Sequence, residues 1–366
     1  MGLIFQVLNL TGEKYYIIYN PVTVPISKTM NQIEKIKLHI NFATKDAPWG
    51  GGNSFLRNLK GELSKKGNYI NDKTKANVII FNAHHHLLET LKLKRKFPDK
   101  IFIHRLGGPM KGLRKKGRIL DFLIQRFNEK ISDGVIFQSR WSMKENVSVG
   151  YSKGKFFKVI PNGVNGKIFN KKNRKTVKKK KKIKIVFASW SNNPTKGLFA
   201  LKYLDAQLDF GKYDLDVFGN FNINFKNISS YGPKNPNELS NILKKSDIFL
   251  FASKKEAYSN MLIEAIATGV PVITLKSSSN IEIVMDNRLL FSSNSQLIKK
   301  INNISTNLNS KFKYKVFSLN EIAEMYVLFS KNVADSLNKN KIKKINFIDF
   351  LKLSIIYYFV KIILFL

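Results

Sequence analysis

From Lys35 onward the apolar positions fall in short blocks whose period switches back and forth. KIKLHINFA (35–43) alternates apolar and polar residues and runs into a Pro/Gly-rich turn, PWGGGN (48–53). SFLRNLKGELSKKG (54–67) carries a helical period. Strand candidates follow at NVIIFNA (77–83), KIFIHRL (100–106), GVIFQS (134–139) and KVIPNG (158–163), with helical stretches between them, notably 118–131. Strands alternating with helices predict a parallel sheet covered by helices on both faces. Residues 1–34 show no clear period and read as an extension.

KKNRKTVKKKKKIK (171–184) breaks the alternation. No core can be built from such a run, so it reads as a linker or surface loop, with a polyanion tether as the sharper alternative. Beyond it the alternation restarts. Strands are expected at 183–189, 213–220, 227–232, 247–253 and 270–276, and helices at 197–209, 236–245, 259–268, 294–303 and 319–337. The expected division is therefore an extension (1–34), a first α/β domain (35–165), a basic linker (166–184), a second α/β domain (185–318), a helix (319–338) and a tail (339–366). Two doubly wound, Rossmann-like units facing across a cleft would hold a ligand beyond the carboxyl ends of their strands.

Composition narrows the possibilities. The 366 residues are 43% hydrophobic and 12% aromatic, enough for two domains with buried cores. The absence of cysteine removes disulfides, thiolate metal sites and thiol nucleophiles, and fits a reducing compartment. The net charge of +38 favours a polyanionic partner such as nucleic acid, an anionic membrane face or phosphorylated substrates. Lys and Asn are abundant along the whole chain, so compositional bias accounts for most of that charge. The N-terminus lacks the features of a secretory signal. No uninterrupted apolar run reaches the roughly 18 residues of a membrane span. A cytoplasmic location is expected.

The densest chemistry lies in FASKKEAYSNMLIEAIATGVPVIT (251–274). An apolar strand ends at Ser253, a short loop carries Glu256, and Ser259 is a good helix N-cap. Gly269 and Pro271 end the helix. Free amides at 260–262 form an anion site at the positive helix end. Glu256 and Glu264 flank it and can hold hydroxyls, an arrangement that suits a phosphate bonded to a sugar. The bland alternative makes both merely loop and surface acids.

Glu256, seven residues, then Glu264, Ala265, Gly269 and Pro271 resemble the donor signature of glycosyltransferase family 4, a family of GT-B fold (glycosyl transferases group 1). The resemblance implies that Glu256 contacts the transferred sugar and Glu264 the ribose of a nucleotide-diphosphate sugar. Amides around Tyr258, Ser259, Asn260 and Met261 would then take the diphosphate. SWSNNPTKG (189–197) resembles the family's phosphate-binding loop, with Lys196 on the diphosphate; Ser189, Trp190 and Ser191 stand where many members carry an arginine. PWGGGN resembles the glycine-rich loop that approaches the donor, through Gly51 and Gly52. VIPNGVNGKIF (159–169) resembles the interdomain stretch, and FQSRWS (137–142) the strand before it. The resemblance spans roughly 35–337.

It implies transfer of a sugar to a glycan or lipid-linked acceptor, with retention of configuration, in surface polysaccharide or lipopolysaccharide assembly. Breaking a sugar–phosphate bond puts negative charge on the leaving diphosphate, which Lys196 and the helix amides would stabilise. Oxocarbenium-like character on the sugar favours a nearby carboxylate, Glu256. No cofactor beyond the donor co-substrate is expected. Asp214-Leu215-Asp216 is a DxD pattern inside a predicted strand and reads as chance, so a metal-independent enzyme is expected.

The remaining candidates are polar groups at strand ends. His84, His85 and His86 end the strand at 77–83, where at least one is expected to face the cleft; His84 and His86 are candidate acceptor contacts. Metal binding by the triplet is the minor alternative. Arg105, at the end of the next strand, is either an acceptor or nucleotide contact or a structural salt-bridging residue. The tail FIDFLKLSIIYYFVKIILFL (347–366) is strongly apolar, but Lys352 and Lys361 lie on opposite helix sides. It is expected to dock on the protein or dip into the cytoplasmic membrane face. The competing functions are an epimerase or phosphorylase of the same fold, and a basic nucleic-acid-binding protein, for which no motif beyond charge is present.

Overall fold

The computed structural model describes Phe5–Leu10, Glu13–Ile18 and residues 36–45, 50–152, 154, 156–174, 182–190, 193–221, 223–337 and 341–365. The chain forms two compact units. Unit 1 comprises Met1–Thr44, Leu56–Pro161 and Asn320–Leu366, and unit 2 comprises Lys45–Phe55 and Asn162–Leu319. Much of the basic run at 171–184 lies outside the described residues.

Unit 1 opens with an antiparallel hairpin, β1 (Phe5–Leu10) and β2 (Glu13–Ile18), with Leu10 opposite Glu13. Residues 1–34, expected as an extension without a clear period, contain this hairpin. The local signal was there: two six-residue runs rich in β-formers, separated by Thr11-Gly12.

The main sheet of unit 1 is parallel. Its strands are β3 (Leu38–Asn41), β4 (Val78–Asn82), β5 (Ile101–Leu106), β6 (Gly134–Phe137) and β7 (Phe157–Val159), and their spatial order follows chain order. β4, β5 and β6 are buried throughout, as near-continuous apolar runs in a parallel sheet must be. Between the strands run α1 (Gly50–Lys65), α2 (Leu87–Lys96), α3 (Gly117–Ile131) and α4 (Arg140–Ser148). α1 straddles the boundary, its first turn belonging to unit 2.

The chain returns to unit 1 through α10 (Leu319–Ser336) and α11 (Phe347–Phe365). One sheet face packs Ile79, Phe81, Phe102 and Phe137 against α2, α3 and α11. The other face receives α10, whose Phe329 and Val333 close on Gly134. A buried ion pair ties the layers. Lys94 Nζ lies 2.9 Å from Asp133 Oδ2, and Asp133 also accepts from the amides of Phe102 (2.8 Å) and Lys343 (2.9 Å).

Unit 2 is a second parallel sheet. β8 (Ile183–Ser189), β9 (Tyr213–Gly219), β10 (Ser229–Tyr231), β11 (Ile248–Phe251), β12 (Val272–Leu275) and β13 (Leu290–Phe291) stand in the order β10-β9-β8-β11-β12-β13. The order reverses between β8 and β11. Helices α5 (Leu198–Gln207), α6 (Pro236–Lys245), α7 (Asn260–Ala267), α8 (Asn280–Ile283) and α9 (Asn294–Ser305) complete the unit. Asp214 and Asp216 sit within β9 and pair with Lys182 (3.3 Å) and Lys184 (2.7 Å) beside them.

Candidate functional site

The reversal between β8 and β11 is a topological switch point, the place where open α/β sheets leave a crevice beyond their strand ends. The loops leaving these two strands carry Lys196 and Glu256. The first ends in a 3-10 turn, Pro194–Lys196, capped by Asn193, whose Oδ1 accepts from the Thr195 amide at 2.9 Å. Gly197 follows at φ +110°, and a Cβ there would lie 3.0 Å from Ala252 Cβ and the Phe187 ring. Only glycine fits that left-handed, crowded position. The Lys254 amide donates to Thr195 O at 2.9 Å and binds the two loops together.

Glu256 is anchored on every side. Its Oε1 accepts from Lys196 Nζ at 2.6 Å and from Ser253 Oγ at 2.6 Å. Its backbone amide donates to Ser278 Oγ at 3.1 Å. Ser253 and Ser278 were not singled out in the sequence; neither has a period or spacing that would mark it. Both donate to or receive from Glu256 only because β11 and β12 end side by side.

Six residues beyond Ser253 comes the cap Ser259, and α7 begins after it as the cap chemistry dictates. Ser259 Oγ accepts from the Leu262 amide at 3.3 Å. The amides of Asn260 and Met261 open the helix with no carbonyl one turn back, so they remain available to an anion at the positive helix end. Tyr258 is buried, and its hydroxyl donates to Lys315 O at 3.1 Å. Burial pushes that phenol well above its ordinary range, so Tyr258 offers its backbone rather than a proton. Asn260 bridges further: its Oδ1 accepts from Asn162 Nδ2 at 2.8 Å, and its Nδ2 donates to Gly51 O at 2.7 Å. Gly51 thus joins this cluster within unit 2, whereas Gly52 has open space around its Cα. Asn162, in the Pro-Asn-Gly turn after β7, also donates to Tyr258 O at 3.2 Å, a contact that no spacing in the sequence marks. Ser191 lies outside the described residues.

Glu264 sits one turn into α7. Its carboxylate has no hydrogen-bond or ion-pair partner among the described residues, and burial alone raises its pKa to about 7. A half-buried carboxylate without a partner is an acceptor awaiting hydroxyl donors.

In unit 1 the strand-end candidates separate. Arg105, expected as a possible acceptor contact, is 1% exposed; its Nε donates to Tyr326 Oη at 2.9 Å and its Nη1 to Asn82 Oδ1 at 2.7 Å. It is an interior brace between β4, β5 and α10. His86 takes a left-handed backbone at the start of α2 and lies 3.4 Å from Glu89. His84 is half-buried, and its Nδ1 is shielded and unpaired. Burial, with His85, Arg114 and Lys361 nearby, lowers its pKa to about 3, so it stays neutral. His104 is bonded inside the unit, to Asn128 and the Ala83 carbonyl.

Residues 168–316, spanning most of unit 2, match the family of glycosyl transferases group 1. The two parallel-sheet Rossmann-like units define the GT-B class. Solved structures of that class are similar over most of the chain. Anabaena HepE in complex with UDP-glucose superposes with a TM-score of 0.59 at 14% identity, over 82% of this chain and 98% of that one. Sucrose-phosphate synthase from Thermosynechococcus elongatus gives 0.59 at 14%, over 88% and 98%. The lipopolysaccharide outer core galactosyltransferase WaaB gives 0.55 at 14%, over 82% and 99%. A curated relative, an uncharacterized 41.2 kDa protein in the cps region of Klebsiella pneumoniae, is 28% identical over 176 residues. That match covers 44% of this chain and about half, 48%, of the relative.

Proposed function

We propose that this protein is a glycosyltransferase that moves a sugar from a nucleotide-diphosphate sugar to a glycan or lipid-linked acceptor. The observation that carries the reading is the unpartnered, half-buried carboxylate of Glu264 one turn behind the open amides of α7, at the sheet's switch point. Glu264 accepts from the ribose hydroxyls, the Asn260 and Met261 amides and Lys196 take the diphosphate, and Glu256 faces the sugar. Gly51 and Gly52 allow backbone approach to the same phosphates. Transfer proceeds with retention and without a divalent metal, the leaving charge being met by Lys196 and the helix end. The complexes of HepE with UDP-glucose and the family match over unit 2 support this reading. His84 is the candidate acceptor contact from unit 1. The relative in a cps region supports a product among surface polysaccharides.

The test is a thermal-shift screen against UDP-, GDP-, dTDP- and CMP-sugars, with and without EDTA. A saturating donor at one hundred times its Kd adds about 2.7 kcal/mol. One donor class raises the melting temperature, and EDTA leaves the shift and donor turnover unchanged. If no donor shifts the melting temperature and Glu264→Gln leaves donor hydrolysis untouched, the reading fails. Interconversion of sugar epimers in place of transfer would assign an epimerase.

A further inference from the structure

α11 carries apolar residues on both of its sides, and the structure gives the two sides different fates. Leu353 and Val360 are buried against α2 and α3, with Phe350, Ile356 and Tyr357 packed beside them. The docked side is pinned at both ends. Asp349 pairs with Lys130 at 3.1 Å, and Lys116 Nζ donates to Ile363 O at 2.6 Å. The opposite side carries Phe347, Ile348, Ile355, Tyr358, Phe359 and Ile362, all more than half exposed. At 3.6 residues per turn these positions fall within roughly one third of the helix circumference. A continuous exposed apolar face of this kind marks an interaction site.

The charges around it select the partner. On the same wheel Lys352 and Lys361 stand at the two margins of the exposed arc. The sequence placed them on opposite sides, and with the inner arc docked, opposite sides are the two rims. Both are exposed, and long lysine stems reach outward past an apolar face. Beside the C-terminal end of α11 lies the stretch 111–118, held there by the Lys116–Ile363 bond. Lys111, Arg114, Lys115 and Arg118 are exposed, with no acidic residue among them. An apolar strip edged by cations matches the acyl boundary and headgroups of an anionic bilayer. Among the described residues no helix is long and apolar enough to cross a membrane.

We infer that unit 1 docks on an anionic lipid bilayer through the outer face of α11, with Lys352, Lys361 and the 111–118 cations meeting the headgroups. This docking does not depend on the reading of unit 2. Arg114 and Lys361 also lie near enough to His84 to disfavour its protonation, so the candidate acceptor contact sits beside the bilayer-facing rim.

The experiment is vesicle flotation of the full chain, on phosphatidylcholine alone and on phosphatidylcholine mixed with phosphatidylglycerol. The chain floats with the anionic vesicles, and the triple variant Ile355→Ser, Phe359→Ser, Ile362→Ser loses about tenfold or more of that partition. These side chains are exposed, so the triple variant keeps its circular dichroism and melting temperature. Lys352→Gln with Lys361→Gln weakens binding to anionic vesicles more than to neutral ones. Equal flotation of wild type and triple variant would reduce the interaction to surface charge and overturn the proposal. So would a wild type that ignores anionic vesicles, including one that light scattering shows to be a dimer broken by the same three substitutions.

Discussion

The Lys196 ammonium lies 2.6 Å from Glu256 Oε1, and the Ser253 hydroxyl donates to that same oxygen at 2.6 Å. A cation and a carboxylate from two different loops are thus fixed in one small volume. A diphosphate arriving at α7 would meet the lysine, and a sugar the carboxylate.

Lys196→Ala is expected to slow turnover more than it weakens donor binding. Removing one preorganised group that meets leaving charge costs about 3–4 kcal/mol, or 10²–10³ in kcat. Donor hydrolysis kinetics and donor Kd, measured side by side, check this. Equal losses in both would make Lys196 a binding group that does nothing particular for the transition state.

Glu264 gives a pH dependence. Burial raises its pKa from the ordinary 4.5 to about 7, so the folded chain keeps the proton to higher pH than the unfolded chain. Stability contributed by this group therefore falls as pH rises from about 4.5 to about 7, and the loss is complete above that. Glu264→Gln should raise the unfolding free energy at pH 8, by up to about 3 kcal/mol, and change it little near pH 4.5, as urea titrations at the two pH values would show. Hydroxyls bonding to the carboxylate favour its charged form. Donor affinity should thus decline as pH drops through about 7 in the native protein and stay flat in Glu264→Gln, as calorimetric titration would show.

Gly197→Ala tests how the lysine is aimed. The left-handed φ of +110° and the 3.0 Å approach to Ala252 and Phe187 force the Lys196 loop to shift. About 1–3 kcal/mol of stability should go with it, together with most of the turnover. Full activity in a destabilised variant would show that the loop tolerates the displacement.

The Lys94–Asp133 pair should behave as a brace. Asp133→Ala strands a buried ammonium and two backbone amides, costing about 3–5 kcal/mol in urea titrations. Lys94→Met combined with Asp133→Leu should restore part of that, because apolar replacement of both ions removes the desolvation penalty.

How much of this was readable in advance depends on how local each signal is. The Ser259 cap, the helix behind it and the loop bearing Glu256 follow from neighbouring residues, and the structure places α7 at Asn260–Ala267. The capping box of α6, Asn235 with Glu238, is equally local. Arg105 was ambiguous because its partner Tyr326 stands 221 residues away, on a helix whose destination no period reveals. Ser253 and Ser278 were silent for the same reason, since their roles arise where two strands end together. The tail reads as poorly amphipathic until one knows which arc is docked; then its lysines become margins instead of interruptions.

The composition of unit 1 from separated stretches has a consequence for how the protein is made. Its sheet is finished at Pro161, yet α10, α11 and the Lys343 amide on Asp133 come only after Leu319. At the usual pace of synthesis, roughly ten to thirty seconds separate the two. During that interval the sheet face awaiting Phe329 and Val333, and the apolar surfaces of α2 and α3 awaiting α11, stand uncovered on the ribosome. Unit 2, contiguous apart from 45–55, can close first. The nascent protein therefore matures from the inside of its sequence outward, and its first-made domain is the last to be completed.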